Sequence, residues 1–170
     1  MLHIRIADHA DADIICKLAV DTFDESYAAY NTAENMKLYV DANFNVSSIR
    51  NELNQPLSLF LLAELNKVPV GYIQLNFANQ RPEYNSVKQA EIERLYVYNS
   101  AKGQRIGYSL VVSATKIAKE KGCGMLWLGV WEFNPKAKAF YERAGFVPFG
   151  THIFQLGSDK QTDILMNIYI

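Results

Sequence analysis

The segment from Ala90 to Phe146 constrains the fold more than any other part of the chain. It reads as strand, glycine-containing loop, helix, strand and helix, and these elements are predicted at Ala90–Tyr98, Gly107–Lys121, Met125–Trp131 and Pro135–Ala144. A strand, a helix and a buried strand in succession form a right-handed crossover, which places the two strands parallel in one sheet. The segment therefore predicts a mixed α/β fold.

The flanking sequence adds further elements to this unit. A helix is predicted after the candidate caps Asp8 and Asp11, with an apolar face formed by Ile14, Ile15, Leu18 and Phe23. A polar helical region is predicted from Thr32 to about Leu53. Strands are predicted at Leu2–Ile6, Leu57–Leu65, Val70–Phe77, Phe146–Leu156 and Ile164–Ile170. The fold class is α/β (α+β), a mixed central sheet of about six to seven strands flanked by about four helices.

The composition is typical of one domain that covers residues 1–170. With 49% hydrophobic and 21% charged residues, a chain of this length can bury a sizeable core. No signal-like start and no long apolar run is present, so we expect a cytoplasmic protein without a membrane partner. A net charge of −1 disfavours nucleic-acid binding. The two cysteines, Cys16 and Cys123, lie outside any cysteine–histidine cluster, so neither a disulfide nor a metal site is expected.

The loop between the first strand and helix of the central segment has the features of an anion site. The first N–H groups of a helix lack internal partners and lie at its positive end. Gly103 and Gly107 allow a ligand close to the backbone, and Lys102 and Arg105 add two cations. A pyrophosphate suits such a loop, although a plain capped helix remains an alternative. The glycine spacing matches neither a nucleotide triphosphatase nor a dinucleotide-binding motif.

A second motif extends over residues 134–146. Asn134 is a candidate N-cap with Pro135 at the first helical position, and Gly145 ends the helix before an apolar residue. Helix geometry alone explains the residues at the two ends of this helix. It does not require Tyr141 beside Phe140, although a core position is the ordinary explanation for either aromatic ring.

Together, the two motifs resemble the GCN5-related N-acetyltransferase (GNAT) superfamily. Residues 102–107 match its Arg/Gln-x-x-Gly-x-Gly/Ala loop, and residues 134–146 match its Asn-x-x-Ala-x-x-Phe-Tyr-x-x-x-Gly-Phe signature. The order of elements along the whole chain agrees with the GNAT fold. The runs 128–132, 150–157 and 161–166 resemble those of the PaiA-type spermidine/spermine acetyltransferases. The resemblance implies an acetyl-CoA-dependent N-acetyltransferase.

The resemblance also implies roles for individual residues. Backbone groups around Tyr96, on Leu95 and Val97, would pair with the pantetheine arm of the cofactor like an added strand. Asn134 would hydrogen-bond the same arm, and Tyr141 would lie near the sulfur. The pyrophosphate would be held by the loop and first helical turn, namely Lys102, Gly103, Gln104, Arg105, Ile106, Gly107 and Tyr108. Arg105 stands where the family has glycine, so we expect either a slightly opened loop or a contact between Arg105 and the 3′-phosphate.

Acetyl transfer to an amine requires a neutral nucleophile and a protonated leaving thiol. Deprotonation of an alkylammonium at pH 7 costs roughly 4–5 kcal/mol, because its pKa is about 10.4. Glu91 and Glu93 are candidate bases. They alternate with Ile92 and Arg94 along the strand, so the two glutamates share one of its faces. Pairing of the glutamates with surface cations is the alternative. Tyr141, with an ordinary pKa of about 10, is the candidate acid for a thiol with a pKa of about 8.5.

A polyamine is the predicted acceptor. Residues 1–80 carry 5 Lys/Arg and 10 Asp/Glu, whereas residues 81–170 carry 12 and 8. An acidic half suits a cationic acceptor and a basic half suits an anionic cofactor, although a chance division of solvated faces gives the same counts. The candidate substrate residues are Phe23, Asp24, Tyr27 and His152. An ordinary helix end and a structural histidine are the alternative explanations for them.

Other functions stay open at this point. A protein N-terminus, a lysine, an aminoglycoside or another small amine are alternative acceptors within the same class of enzyme. A non-catalytic acyl-CoA-binding sensor is an alternative from a different class, and the presence of Asn134 and Tyr141 argues against it. We expect a small-molecule amine as the partner, and the sequence leaves a homodimer open.

Overall fold

A seven-stranded mixed sheet runs through the computed structural model, which describes all 170 residues. Its strands are β1 (Leu2–Ile6), β2 (Ser58–Leu65), β3 (Val68–Asn76), β4 (Gln89–Val97), β5 (Met125–Trp131), β6 (Val147–Leu156) and β7 (Asp159–Tyr169). The helices are α1 (Ala12–Tyr27), α2 (Ala33–Asn43), α3 (Val46–Leu53), α4 (Ile106–Glu120) and α5 (Pro135–Arg143). The predicted mixed α/β fold is confirmed, with five α-helices where about four were expected.

The sheet has the order β1-β2-β3-β4-β5-β7-β6, and β4 and β5 form its parallel pair. Helix α4 makes the crossover between them, as the sequence predicts. The two strands pair only over Gln89–Glu91 and Met125–Trp127. Farther along, β4 continues to pair with β3 and β5 with β7. The parallel strands therefore diverge, and we call the resulting opening in the sheet the wedge.

The helices cover both faces of the sheet and bury two apolar cores. On the face that we call the α4 face, Leu110 of α4 packs in one core with Ile92 of β4 and Leu128 of β5. On the opposite face, the α1 face, Phe23 of α1 packs in a second core with Tyr72 of β3. None of the helices is long and apolar enough to cross a membrane. Packed cores on both faces of the sheet thus hold β4 and β5, the edges of the wedge, in place.

Helix α1 buries most of its predicted apolar face. Ile15, Leu18 and Phe23 are each at most 2% exposed, whereas Ile14 is 38% exposed, so the prediction was wrong for Ile14. The buried positions form a stripe at helical spacing, and Ile14 lies at its edge. The Asp11 carboxylate binds the guanidinium of Arg5 at 2.7 Å instead of capping α1.

The polar region from Thr32 to Leu53 forms two helices rather than one. The Thr32 hydroxyl accepts a hydrogen bond from the N–H of Asn35 and begins α2. The chain leaves the helix at the buried residue Phe44, and the side chain of Asn45 accepts a hydrogen bond from the N–H of Ser48 at 2.8 Å. An asparagine cap offers the backbone an alternative to continuing the helix, and here it starts α3.

Candidate active site

The edge of β4 that faces the wedge carries free backbone groups. The N–H of Tyr98, just after the strand, donates to Val70 O on β3 at 3.0 Å. Since alternate residues of a strand direct their backbone groups to opposite edges, Leu95 and Val97 direct theirs into the wedge. Tyr96 pairs with β3 and turns its side chain to the α1 face. Leu95 and Val97 therefore offer free backbone groups to an added strand, and Tyr96 lies between them without a backbone group in the wedge.

Free N–H groups continue from the loop into the first turn of α4. The first hydrogen bond at this end of the helix runs from the N–H of Ser109 to Arg105 O at 2.9 Å, and no side chain caps the helix. The backbone N–H groups from Gly103 to Tyr108 have no backbone acceptor. Ile106 is 2% exposed and anchors this turn in the core. The arrangement is a set of backbone donors without backbone acceptors at a positive helix end, which suits a pyrophosphate.

The backbone of Arg105 adopts a conformation that is typical of glycine. Its φ of 59° and ψ of 13° lie in the left-handed region, where a non-glycine residue costs about 1–2 kcal/mol. Gly103 also has a positive φ, of 83°. Arg105 thus adopts the positive φ of a glycine at some cost in backbone energy, and the predicted contact with the 3′-phosphate stays a prediction. The side chains of Lys102, Gln104 and Arg105 are exposed around the free N–H groups.

Helix α5 packs beside the anion loop. The Asn134 side-chain oxygen accepts a hydrogen bond from the N–H of Ala137 at 3.1 Å and caps the helix. The side-chain amide of Asn134 remains able to donate to a ligand. A β-carbon on Gly107 would lie 3.5 Å from the ring of Phe140, so the first turn of α4 packs closely against the middle of α5. This contact fixes Asn134 and Tyr141 relative to the anion loop.

Tyr141 is buried at the wedge and lies against Phe140 and Phe146. Burial raises its pKa well above the ordinary value, and the neighbouring Tyr27 raises the pKa further. The ordinary tyrosine pKa assumed from the sequence therefore does not hold. Tyr141 is fully protonated at neutral pH, which a general acid requires.

A β-bulge in β4 decides which residues reach the α1 face. The register against β3 shifts between Gln74 and Leu75, which makes Glu93 the extra residue. Arg94 consequently also turns to the α1 face, where it pairs with Glu52 at 2.6 Å. The predicted alternation of Glu93 with Arg94 is therefore wrong. Glu93 itself accepts a hydrogen bond from Asn76 at 2.9 Å.

Glu91 lies at the base of the wedge. It is paired in register with Trp127 on the α1 face, since its neighbours Ala90 and Ile92 enter the opposite core. Burial raises the pKa of Glu91, while a hydrogen bond from the side chain of Asn79 lowers it. The charge of Arg81 also lowers the pKa of Glu91, and the charge of Glu93 likewise favours the charged form of Arg94. Both predicted bases nevertheless form hydrogen bonds with neutral amides and no direct ion pair, so their pairing with surface cations is not observed.

The structure adds one site residue that the sequence did not indicate. Asp163 on β7 pairs in register with Trp131 on β5 and with His152 on β6. A β-carbon on Gly129 would lie 2.9 Å from Asp163 Oδ2 and 3.0 Å from His152 Cε1, so both side chains lean over this glycine. Burial raises the pKa of Asp163 from 3.8 to about 6. Burial and the charge of Arg81 lower the pKa of His152.

The predicted acceptor residues fall into different environments. Tyr27 lies 5.7 Å from Trp131, measured between ring centroids, and the charge of Asp163 contributes to its raised pKa after burial. Phe23 is fully buried in the core, which does not agree with a contact to substrate. Asp24 faces a separate groove of about 660 Å³ between α1 and α2. Tyr27 and His152 are thus brought together around Asp163, whereas Phe23 and Asp24 are not.

Known proteins resemble this chain over most of its length. An N-acetyltransferase encoded in the pepI 3′ region of Lactobacillus delbrueckii subsp. lactis is 30% identical over 98% of this chain and 97% of its own length. A spermidine N(1)-acetyltransferase of Thermoplasma acidophilum is 26% identical over 85% of this chain and 88% of its own length.

Solved structures agree with the fold. The PaiA N-acetyltransferase of Thermoplasma acidophilum, solved in complex with coenzyme A, superposes with a TM-score of 0.79 and 22% identity over 100% of this chain and 99% of that one. The sequence model of the acetyltransferase (GNAT) family matches residues 15–146, which include the wedge, the anion loop and α5. The chain belongs to the GNAT family of acetyltransferases.

Proposed function

We propose that this protein transfers the acetyl group of acetyl-CoA directly to a primary amine of a polyamine such as spermidine or spermine. Its family makes it an acetyl-CoA-dependent N-acetyltransferase, so the proposal concerns the acceptor and the residues that serve the reaction. The observation that carries it is the charge on the α1 face. Glu91, Glu93 and Asp163 face this side of the sheet, and no lysine or arginine forms an ion pair with any of them.

The residues that line the wedge and the anion loop fit acetyl-CoA. The free edge at Leu95 and Val97 suits the two amides of a pantetheine arm, with the Asn134 side-chain amide as a further donor. The free N–H groups of the anion loop suit the pyrophosphate, and Lys102 and Arg105 supply positive charge beside it. When bound, acetyl-CoA supplies the activated acetyl group. The protein holds it through backbone groups, which are rigid and carry no titratable proton.

Aromatic side chains complete the proposed acceptor site. Tyr27 and Tyr30 both pack against Trp131, at ring-centroid distances of 5.7 and 5.3 Å. Aromatic faces stabilise both alkyl chains and cations, so carboxylates interleaved with these rings suit a polyamine better than an uncharged acceptor. The relation to a spermidine N(1)-acetyltransferase supports the same choice.

Tyr141 is the proposed general acid. It is buried, protonated at neutral pH and located on α5 beside the wedge. In this role it donates its proton to the departing thiolate while the amine forms its bond to the acetyl carbon. Most of the acceleration is attributed to holding the amine and the thioester together, which can contribute about 7–11 kcal/mol.

An amine panel tests the acceptor. Purified protein is incubated with acetyl-CoA and, separately, with spermidine, spermine, an aminoglycoside, a lysine-containing peptide and a peptide with a free N-terminus. Thiol release is followed and the products are identified by mass. We expect the two polyamines to give the highest kcat/KM. Higher turnover of any other amine, or thiol release from neither polyamine above background, contradicts the proposal.

A further inference from the structure

We propose that Asp163 binds the attacking amine of the acceptor and accepts its proton as the new bond forms. This inference rests on the proposed function, because it concerns the amine side of the same reaction. It assigns the role of base to a residue of β7 instead of the two glutamates of β4.

The position of Asp163 follows from the glycine opposite it. Trp127 is the last residue of β5 that pairs with β4, and Gly129 lies two residues farther along, where the wedge has opened. Asp163 Oδ2 leans over Gly129 at a distance that a β-carbon could not tolerate. A glycine inside a strand commonly marks such a close approach. The carboxylate therefore lies at the wedge, beside the path of a thioester held along β4.

The polar groups around this carboxylate lack partners. Trp131 Nε1 and His152 Nδ1 are buried without a hydrogen bond to any protein group. Burial is the only cause that shifts the pKa of Asp163, so no donor or cation inside the protein stabilises its charge. Buried polar groups in native proteins are normally satisfied. The side chains of Asp163, His152 and Trp131 thus bring three polar groups without protein partners to one place. Such a set suits a polar ligand.

The charges that face Asp163 make a cation the complementary ligand. The charge of Asp163 acts on Tyr27 of α1 and on Tyr39 of α2, because the pKa values of both are raised, first by burial and also by this negative charge. His152 faces it from β6, and burial and the charge of Arg81 lower its pKa. All three neighbours are uncharged at neutral pH. Arg81, whose guanidinium lies over the ring of Trp127, is a cation on the same face, but it forms no ion pair with Asp163. An ammonium group therefore finds a carboxylate without an ion-pair partner beside neutral hydrogen-bonding groups.

Transfer of one acetyl group to an ammonium group releases one proton to solvent. The ammonium group of the acceptor binds at Asp163 and loses one proton to solvent to become the free amine. Its nitrogen attacks the acetyl carbon, the C–N bond forms and the C–S bond breaks. The nitrogen becomes much more acidic as its lone pair enters the new bond, so its surplus proton passes to Asp163, whose pKa of about 6 suits a base near neutral pH. Tyr141 protonates the thiolate and is reprotonated from solvent, to which Asp163 returns its proton.

Kinetics of three variants test the assignment. Asp163→Asn removes the charge and keeps the shape, Gly129→Ala displaces the carboxylate by steric contact, and Asp159→Asn removes an exposed carboxylate from the same strand as a control. For each full-length protein, kcat and KM are measured from pH 5 to 9 with the best acceptor of the amine panel. The Kd for coenzyme A and the melting temperature are measured in parallel.

The three variants should differ in kcat and in the pH dependence of kcat. Asp163→Asn should lower kcat by about 100-fold, remove the acidic limb of the wild-type profile near pH 6 and leave the Kd for coenzyme A within two-fold. Gly129→Ala should lower kcat by about 10-fold, and Asp159→Asn should behave as wild type. A kcat within two-fold of wild type, or a retained limb near pH 6, overturns the role of Asp163.

Two further outcomes are also decisive. If Asp163→Asn does not fold, Gly129→Ala decides alone, because wild-type kcat in a folded variant with a displaced carboxylate overturns the inference. If wild type prefers an amine other than a polyamine, the proposed acceptor is wrong, while the same variants still test Asp163 on the preferred amine.

Discussion

Glu91 and Trp127 are the last residues that pair across β4 and β5 before these parallel strands diverge. The separation leaves the backbone edge of β4 free for a cofactor and opens a passage between the two faces of the sheet. The anion loop and α5 carry the proposed cofactor groups, and Glu91, Glu93 and Asp163 carry negative charge on the α1 face. The geometry therefore suits the proposed combination of an anionic cosubstrate and a cationic acceptor.

Glu91→Gln should weaken binding of the polyamine. The substitution removes one negative charge from a partly buried site, where a single charge interaction is worth about 1 kcal/mol, so KM for spermidine should rise about five-fold with little change in kcat. Glu83→Gln, in an exposed turn of the connection before β4, is the control and should leave KM unchanged. Equal KM values for Glu91→Gln and wild type would rule out a charge contribution from Glu91.

Tyr141→Phe should remove the general acid and little else. Loss of the hydroxyl alone should lower kcat by about 10²- to 10³-fold and leave the Kd for coenzyme A unchanged. Because burial raises the pKa of Tyr141, wild type should show no loss of kcat from this group between pH 7 and 9. Tyr169→Phe, at an exposed position of β7, serves as the control. Wild-type kcat in Tyr141→Phe would exclude this tyrosine as the acid.

Arg105 allows backbone strain and charge to be separated. Both Arg105→Gly and Arg105→Ala remove the cation, but only glycine adopts a φ near 59° without cost. Arg105→Gly should therefore be more stable than Arg105→Ala by about 1 kcal/mol in denaturant unfolding. Both should raise the Kd for coenzyme A by the same factor. Equal stability of the two variants would contradict the left-handed conformation at this position.

Asn134 combines a structural role with a proposed binding role. Asn134→Ser keeps an N-cap oxygen but removes the side-chain amide, so the free energy of unfolding should be nearly unchanged while the Kd for coenzyme A rises. Asn134→Ala should raise the Kd and also cost about 1 kcal/mol of stability through loss of the cap. Calorimetric titration and thermal unfolding measure the two effects, and an unchanged Kd in Asn134→Ser would remove the amide from the cofactor site.

Protonation of Asp163 should make the free energy of unfolding depend on pH. Its pKa is about 6 in the folded protein against 3.8 as the reference value, so the folded state holds the proton more tightly than the unfolded state. Stability from this group is therefore lost as the pH rises from about 4 to 6, by at most about 3 kcal/mol. The advantage of Asp163→Asn over wild type should grow across this window. A difference in unfolding free energy that is constant from pH 4 to 7 would contradict the raised pKa.

The order of elements and the anion loop could be predicted because their signals are local. Apolar runs, glycines and caps specify β4, α4, β5 and α5 from neighbouring residues. The break between α2 and α3 was missed because Phe44 and Asn45 carry no glycine or proline signal. At Arg105 the sequence left open a widened loop or a contact with the 3′-phosphate, and the left-handed conformation of the arginine could not be predicted from the neighbouring residues.

The acceptor side could not be predicted because it depends on register between distant strands. Asp163 meets Gly129 and His152 only through the pairing of β5, β7 and β6. A glycine within the apolar run of β5 and a lone carboxylate at the edge of the apolar run of β7 are the signals that point to this contact. The division of charge along the chain did not indicate these positions either, because the three carboxylates at the wedge, Glu91, Glu93 and Asp163, all come from the basic half.

The specificity for a polycation is the central claim, and the ratio of kcat/KM for spermidine to that for n-butylamine tests it most directly. Both acceptors offer a primary amine on an alkyl chain, but only spermidine carries further positive charges. The uncompensated carboxylates should make spermidine better by at least about 10-fold at low ionic strength, and the ratio should fall as salt screens the charges. Equal kcat/KM values for the two amines, or a ratio that salt does not change, would contradict the account.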